Sequence, residues 1–273
     1  MPSIKVKKGG VYADPVGIFA KKAGVYSAVA GVSAKVGGAY VSVDATVEQR
    51  IAALFAAGEQ GADWSDIRPQ TVWQDPAGTI PGAVGQMARR IVDKSGRGNH
   101  LLQNSTAAAP ILQQDSGGRY YLQLDGVDDG FGCAISGWSS SMLVATALQP
   151  ASTARNVLWA ESLAGSRFFG VSLLGDGSAP YDASTGTPLT YVDGALVTPN
   201  TRGALNAALG SGVSHVEDSY PLNLSTYTGL LFGNFIAWIF QGRFYGAIAT
   251  THSDAPTAVL LRKHLGQKAG LSL

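Results

Sequence analysis

The chain has 273 residues, a formal net charge of +1 and only 14% charged residues, a balance that excludes a nucleic-acid surface built on a basic patch. A compact chain of this length buries roughly 70–75% of its unfolded surface, so its core needs no help from disulfides or metals. The single cysteine, Cys133, has no internal disulfide partner and reads as a small buried apolar residue.

The first 45 residues repeat one 14-residue unit three times, over Ile4–Gly17, Ile18–Gly31 and Val32–Ala45. Lys7, Lys21 and Lys35 match across the copies, as do Tyr12, Tyr26 and Tyr40. Each copy holds a short alternating stretch, a glycine-containing turn and a second stretch starting near the tyrosine. That order predicts a β-hairpin per unit. A unit this small cannot bury its own apolar face, so residues 1–45 are expected to stack on one another or on a partner. The six matched lysines and tyrosines are the candidate docking or oligomerisation contacts. The plainer alternative is a tether.

Thr46 with Gln49 has capping-box spacing, and Val47, Ile51, Leu54 and Phe55 fall on one helical face. A connector helix is expected over 46–58, stopped by Gly58. Residues 59–118 read as irregular, punctuated by turn dipeptides. Strands are expected at Tyr120–Leu124, Met142–Leu148, Asn156–Ala160, Phe168–Leu174, Thr190–Val192, Leu196–Thr198, Val213–Glu217, Gly229–Phe232 and Arg243–Thr250. Asp193-Gly194 is the strongest hairpin signal among them. With 35 glycines and four glutamates, this is the composition of a turn-rich β protein, and 59–273 is expected to form a sandwich or jelly roll. A final helix is expected from an Asp254 cap, with Pro256 in its first turn and Gly266 or Gly270 at its end. Its basic residues Arg262, Lys263, His264 and Lys268 are expected to offset the helix dipole. No apolar run approaches the length of a membrane span, and the first residues lack a signal-type apolar run, so synthesis in a cytoplasm is expected.

Two local patterns are the most specific. Asp93-Lys-Ser-Gly-Arg-Gly-Asn-His100 is followed by Tyr121-Leu-Gln-Leu-Asp125-Gly126-Val-Asp128-Asp129. The pairing of an S-G-x-G-N-H loop with an L-D-G-x-D-D strand end resembles the concanavalin A-like, laminin-G-like jelly rolls. With Thr71-Val-Trp-Gln-Asp75-Pro-Ala-Gly-Thr79 and Gly242-Arg-Phe-Tyr-Gly246, residues 50 to 273 look like a module of tailed-phage virion structural proteins. The resemblance implies a mainly β protein: hairpin repeats, a connector helix, and a jelly-roll sandwich with a C-terminal helix. It implies a virion-surface protein made in the host cytoplasm, attached to other virion proteins through its repeats and oligomeric, with a trimer favoured. A tail-associated fibre or adhesin that meets a host surface glycan is the leading expectation. A capsid decoration or head-fibre protein is the second, and a cellular carbohydrate-binding adhesion protein the third.

The chemistry-bearing residues divide the same way. Asp125, Asp128 and Asp129 flank a turn glycine and are expected to hold the turn, with a calcium site as the alternative reading. No catalytic residue is expected. Glycan hydrolysis needs two carboxylates at a fixed separation, and Glu48, Glu59, Glu161 and Glu217 are each isolated. No histidine lies in a G-x-S-x-G context. Trp138, in a loop, and the 175–188 segment with Asp176 and Tyr181 are the candidate ligand contacts.

Overall fold

Period-2 alternation in the N-terminal units resolves into antiparallel hairpins. The computed structural model describes residues 46–273 except 154, 162–166 and 236–237, together with strand residues 5–6, 11–12, 19–22, 25–28, 33–36 and 39–42. Two units result, Met1–Gly58 and Glu59–Leu273. In the first, β1 (Lys5–Val6) pairs with β2 (Val11–Tyr12), β3 (Phe19–Lys22) with β4 (Val25–Ala28), and β5 (Ser33–Val36) with β6 (Ala39–Ser42). The second and third hairpins share one register: Lys21 is opposite Tyr26, and Lys35 is opposite Tyr40. Two residues separate their strands, the shortest common hairpin connection. In the first hairpin Tyr12 is opposite Lys5, a two-residue slip that keeps the alternation in phase. Lys7 lies outside the described residues.

Helix α1 (Val47–Ala53) begins at the expected capping box: Gln49 N–H donates to Thr46 Oγ1 at 3.2 Å, and Thr46 N–H to Gln49 Oε1 at 2.9 Å. It is shorter than expected. Leu54, Phe55 and Ala56 donate to carbonyls three residues back, so the last turn tightens before Gly58.

The second unit runs through β7 (Gly61–Asp63), β8 (Val72–Trp73), β9 (Arg90–Ile91), β10 (Leu101–Leu102), β11 (Ile111–Gln114), β12 (Tyr120–Asp125) and β13 (Phe131–Ala134). Next come β14 (Met142–Pro150), β15 (Arg155–Ala160), β16 (Phe168–Leu173), β17 (Leu189–Val192), β18 (Ala195–Leu196) and α2 (Arg202–Leu209). The chain closes with β19 (His215–Leu222), β20 (Gly229–Phe232), the small hairpin β21 (Asn234–Phe235) and β22 (Trp238–Ile239), then β23 (Gln241–Thr250) and α3 (Ala255–Ala269). One antiparallel sheet orders β16-β15-β20-β13-β10-β9-β8. The other orders β11-β12-β23-β14-β19-β17-β18, with β7 also on β23.

The inward faces of both sheets bury one apolar core, in which Trp159 stacks on Trp64 and Phe169 and meets Phe232. Trp159 also donates its indole N–H across the core to Thr146 Oγ1 at 2.9 Å. Each such buried side chain contributes about 1.5–3 kcal/mol. Cys133 is buried there as expected, and burial pushes its thiol up to about 12.

Three expectations are corrected. Residues 59–118 supply five short strands, most of them two residues long and too short to show a period. Arg202–Leu209, unmarked in the sequence reading, is a helix capped by Thr201; Gly203 and Asn206 dilute its helical pattern. The basic residues of α3 do more than offset a dipole. Arg262 grips Asp218 with Nε–Oδ1 at 2.5 Å and Nη2–Oδ2 at 3.0 Å, and His264 is buried against Ser65. Asp193 and Gly194 do form the β17–β18 turn, both at positive φ.

Candidate functional site

The Asp93–His100 loop spends its polar atoms on structure. Asp93 Oδ1 accepts from Asp63 N–H and Ser95 N–H, and Oδ2 from Asn99 N–H, each at 2.9 Å. Asn99 Nδ2 donates to Gly61 O at 2.7 Å, and Asn99 O accepts the Trp64 indole N–H at 2.6 Å. The loop thus clamps β7 to the sandwich. His100 Nδ1 accepts from Asp93 N–H at 3.0 Å; burial, then Arg90, holds its pKa below the usual imidazole value, so it is neutral at pH 7.

Ser65, His264 and Asp63 also meet, though not as a nucleophile set. The Ser65 hydroxyl donates to Asp63 Oδ1 at 2.6 Å, which leaves His264 Nε2, 2.9 Å away, to donate to Ser65 Oγ. A catalytic histidine accepts the serine proton and is itself oriented by the acid. Here the acid holds the serine, and all three side chains are buried.

The seven-stranded sheet carries a groove of about 420 Å³ on its outer face. Leu102, Gly132 and Leu231 lie side by side across β10, β13 and β20, and Ala134 pairs with Gly229 next to them. A Cβ at Gly132 would sit 2.8 Å from Leu231 Cδ2, so a side chain there would push the Leu231 tip aside and narrow the groove. Gln103, Glu161 and Asn234 add polar lining. Glu161 Oε1 is held by Thr228 N–H at 3.3 Å and Arg167 at 3.4 Å.

The aspartate turn adjoins this groove. Asn234 Nδ2 donates to Asp128 O at 2.7 Å, and Gln103 Nε2 to Gly130 O at 2.8 Å. The turn is held as expected: Asp125 Oδ1 accepts from Val127 N–H at 2.7 Å, and Asp129 Oδ2 from Asp125 N–H at 2.8 Å. One oxygen from each of Asp125, Asp128 and Asp129 lies within 4.8 Å of the others. Burial, assisted by the two neighbouring carboxylates, pushes Asp129 up to about 6 against the Asp125 hydrogen bond. Hard oxygens so disposed suit a divalent cation, and equally serve as turn acceptors.

The other sequence candidates fall elsewhere. Trp138 is buried in the core and so offers no open ring face; its loop is tied inward where Leu224 N–H donates to Ser139 O at 3.1 Å. Asp176 is engaged: its Oδ1 accepts from Ser178 N–H at 2.7 Å and its Oδ2 pairs with Arg202 at 3.0 Å; the Ser178 hydrogen bonds first, then Arg202, hold its carboxyl below the usual range. Tyr181 is half-buried against the core. The groove itself went unseen in the sequence, since its floor is made of glycines on strands far apart in the chain. Comparison with family models, curated proteins and solved structures gives no match.

Proposed function

We propose that this chain is a tailed-phage virion structural protein, a tail-associated fibre or adhesin that docks through its N-terminal repeats. In this reading the second unit is a concanavalin A-like jelly roll displayed outward, and its groove and aspartate turn face the host surface. The observation that carries it is the pairing of tandem hairpin units, two of them in one Lys–Tyr register, with a large self-sufficient sandwich. That layout separates attachment from display. Binding without cutting is favoured by the state of the glutamates: Glu217 is fully buried and Glu161 is tied to Thr228 and Arg167. The repeats are the oligomerisation element, and no cofactor is needed for folding.

The test is deletion of residues 1–45. The truncated protein should fold as a monomer and fail to join particles; normal incorporation would reduce the repeats to a tether. Labelled full-length protein should mark the tail in images of particles, and label over the capsid would favour the decoration reading. Incubation with host polysaccharide should release no oligosaccharide.

A further inference from the structure

A second recess, of about 250 Å³, lies on the other sheet. It opens where the segment after β7, the β11–β12 turn and the last turn of α3 meet β23. Arg68, Arg119 and Lys268 line it with Tyr120 and Tyr245, against one acid, Asp66.

Its charges do not cancel. Arg68 lies 2.8 Å and Lys94 3.6 Å from Asp66 Oδ2, and Arg119 Nε lies 2.8 Å from Asp115 Oδ2. Lys268 has no ion pair among the described residues. Four cations against two carboxylates leave a net charge of +2 around one recess. Arg119 is also held in place. Its guanidinium lies against Gly270, where a Cβ would overlap it, and near Gly117, while Asp115 fixes its Nε. Its two terminal nitrogens have no hydrogen-bond partner among the described residues. A preset arginine and an unpaired lysine on one recess are what an anion requires. The carboxyl end of α3 and Asp66 oppose a second negative charge, which favours a monoanion over a dianion. Tyr245 is buried and Tyr120 is partly exposed, so only Tyr120 offers ring surface there, suited to the C–H face of a sugar ring.

We propose that this recess binds a carboxylate-bearing pyranose, an acidic sugar unit of a surface polysaccharide, with Lys268 and Arg119 on the carboxylate. The polysaccharide source rests on the attachment function proposed above. The carboxylate chemistry rests on the recess alone.

The experiment titrates the full-length protein with sodium glucuronate, glucose and inorganic phosphate at low ionic strength, followed by NMR shifts or calorimetry. Glucuronate should bind at least about tenfold tighter than glucose, and added salt should weaken it. Lys268→Gln should weaken glucuronate about fivefold with an unchanged melting temperature, and Lys268→Arg should restore most of it. Equal binding of glucuronate and glucose, no binding, or no effect of Lys268→Gln overturns the site. Phosphate binding tighter than glucuronate overturns the monoanion assignment. Particles should still incorporate Lys268→Gln, so a failure here is separate from a failure of the 1–45 deletion test.

Discussion

The hydroxyl of Ser219 donates to Glu217 Oε1 at 2.6 Å, and both side chains are sealed between the two sheets. Thr190 extends the contact through Ser219 Oγ at 3.1 Å, and Glu217 Oε2 has no hydrogen-bond partner among the described residues. Burial first, then the Asp218 charge, pushes the Glu217 carboxyl up to about 8, and the Ser219 hydrogen bond only partly opposes this.

Stability should therefore fall as pH rises. A carboxyl raised from 4.5 to about 8 keeps its proton longer in the folded state. Its contribution is fully present below pH 4.5 and is lost as pH climbs through 8. Urea midpoints at pH 5 and pH 9 should differ by a few kcal/mol in unfolding free energy. Glu217→Gln should flatten that slope and raise stability at pH 9. A slope that survives the substitution would place the titration elsewhere.

The Asp93 clamp should be costly to remove. One buried carboxylate satisfies three backbone N–H groups on two segments. Asp93→Ala should destabilise by about 3 kcal/mol or more in urea unfolding, because those donors are left unpaired. Asp93→Asn keeps one acceptor oxygen and should cost about half as much. Equal losses in the two variants would mean that charge rather than acceptor count matters.

The aspartate turn separates a cation site from a turn lock. Asp129 is raised from 3.8 to about 6, so its contribution is present below pH 3.8 and lost as pH rises through 6. At pH 7 without metal, Asp129→Asn should stabilise by about 1–2 kcal/mol, since Asn can still accept from Asp125 N–H. Chelator should leave the wild-type melting temperature within about 2 °C. A calcium-dependent rise that vanishes in Asp129→Asn would assign a cation to the turn and reverse the expected sign of that substitution.

Gly270 carries two demands at once. Its φ of +79° ends α3 in the left-handed region, and Arg119 occupies the space a Cβ would need. Gly270→Ala should cost about 1–2 kcal/mol. In an Arg119→Ala background the same change should cost only the backbone part, about 1 kcal/mol. Additive losses in the double variant would show that the two residues do not compete for space.

The sequence by itself determined what is local. The Thr46 and Asp254 caps, the Asp193-Gly194 turn and the longer strands follow from spacing within a few residues. Steric and hydrogen-bond rules act at that range, so they can be read off a string. Only the tertiary structure decided the rest. The strands within 59–118 exist because they are completed by partners distant in sequence, such as Thr250 for Gly61 and Gly132 for Leu102. Trp138 lies in the core and Glu217 lacks water because of what covers them. The groove floor joins Gly132 to Gly229, and the cationic recess joins Arg68, Arg119 and Lys268, residues spread over the whole second unit. Burial and charge clustering depend on distances across the fold, and no local spacing records them.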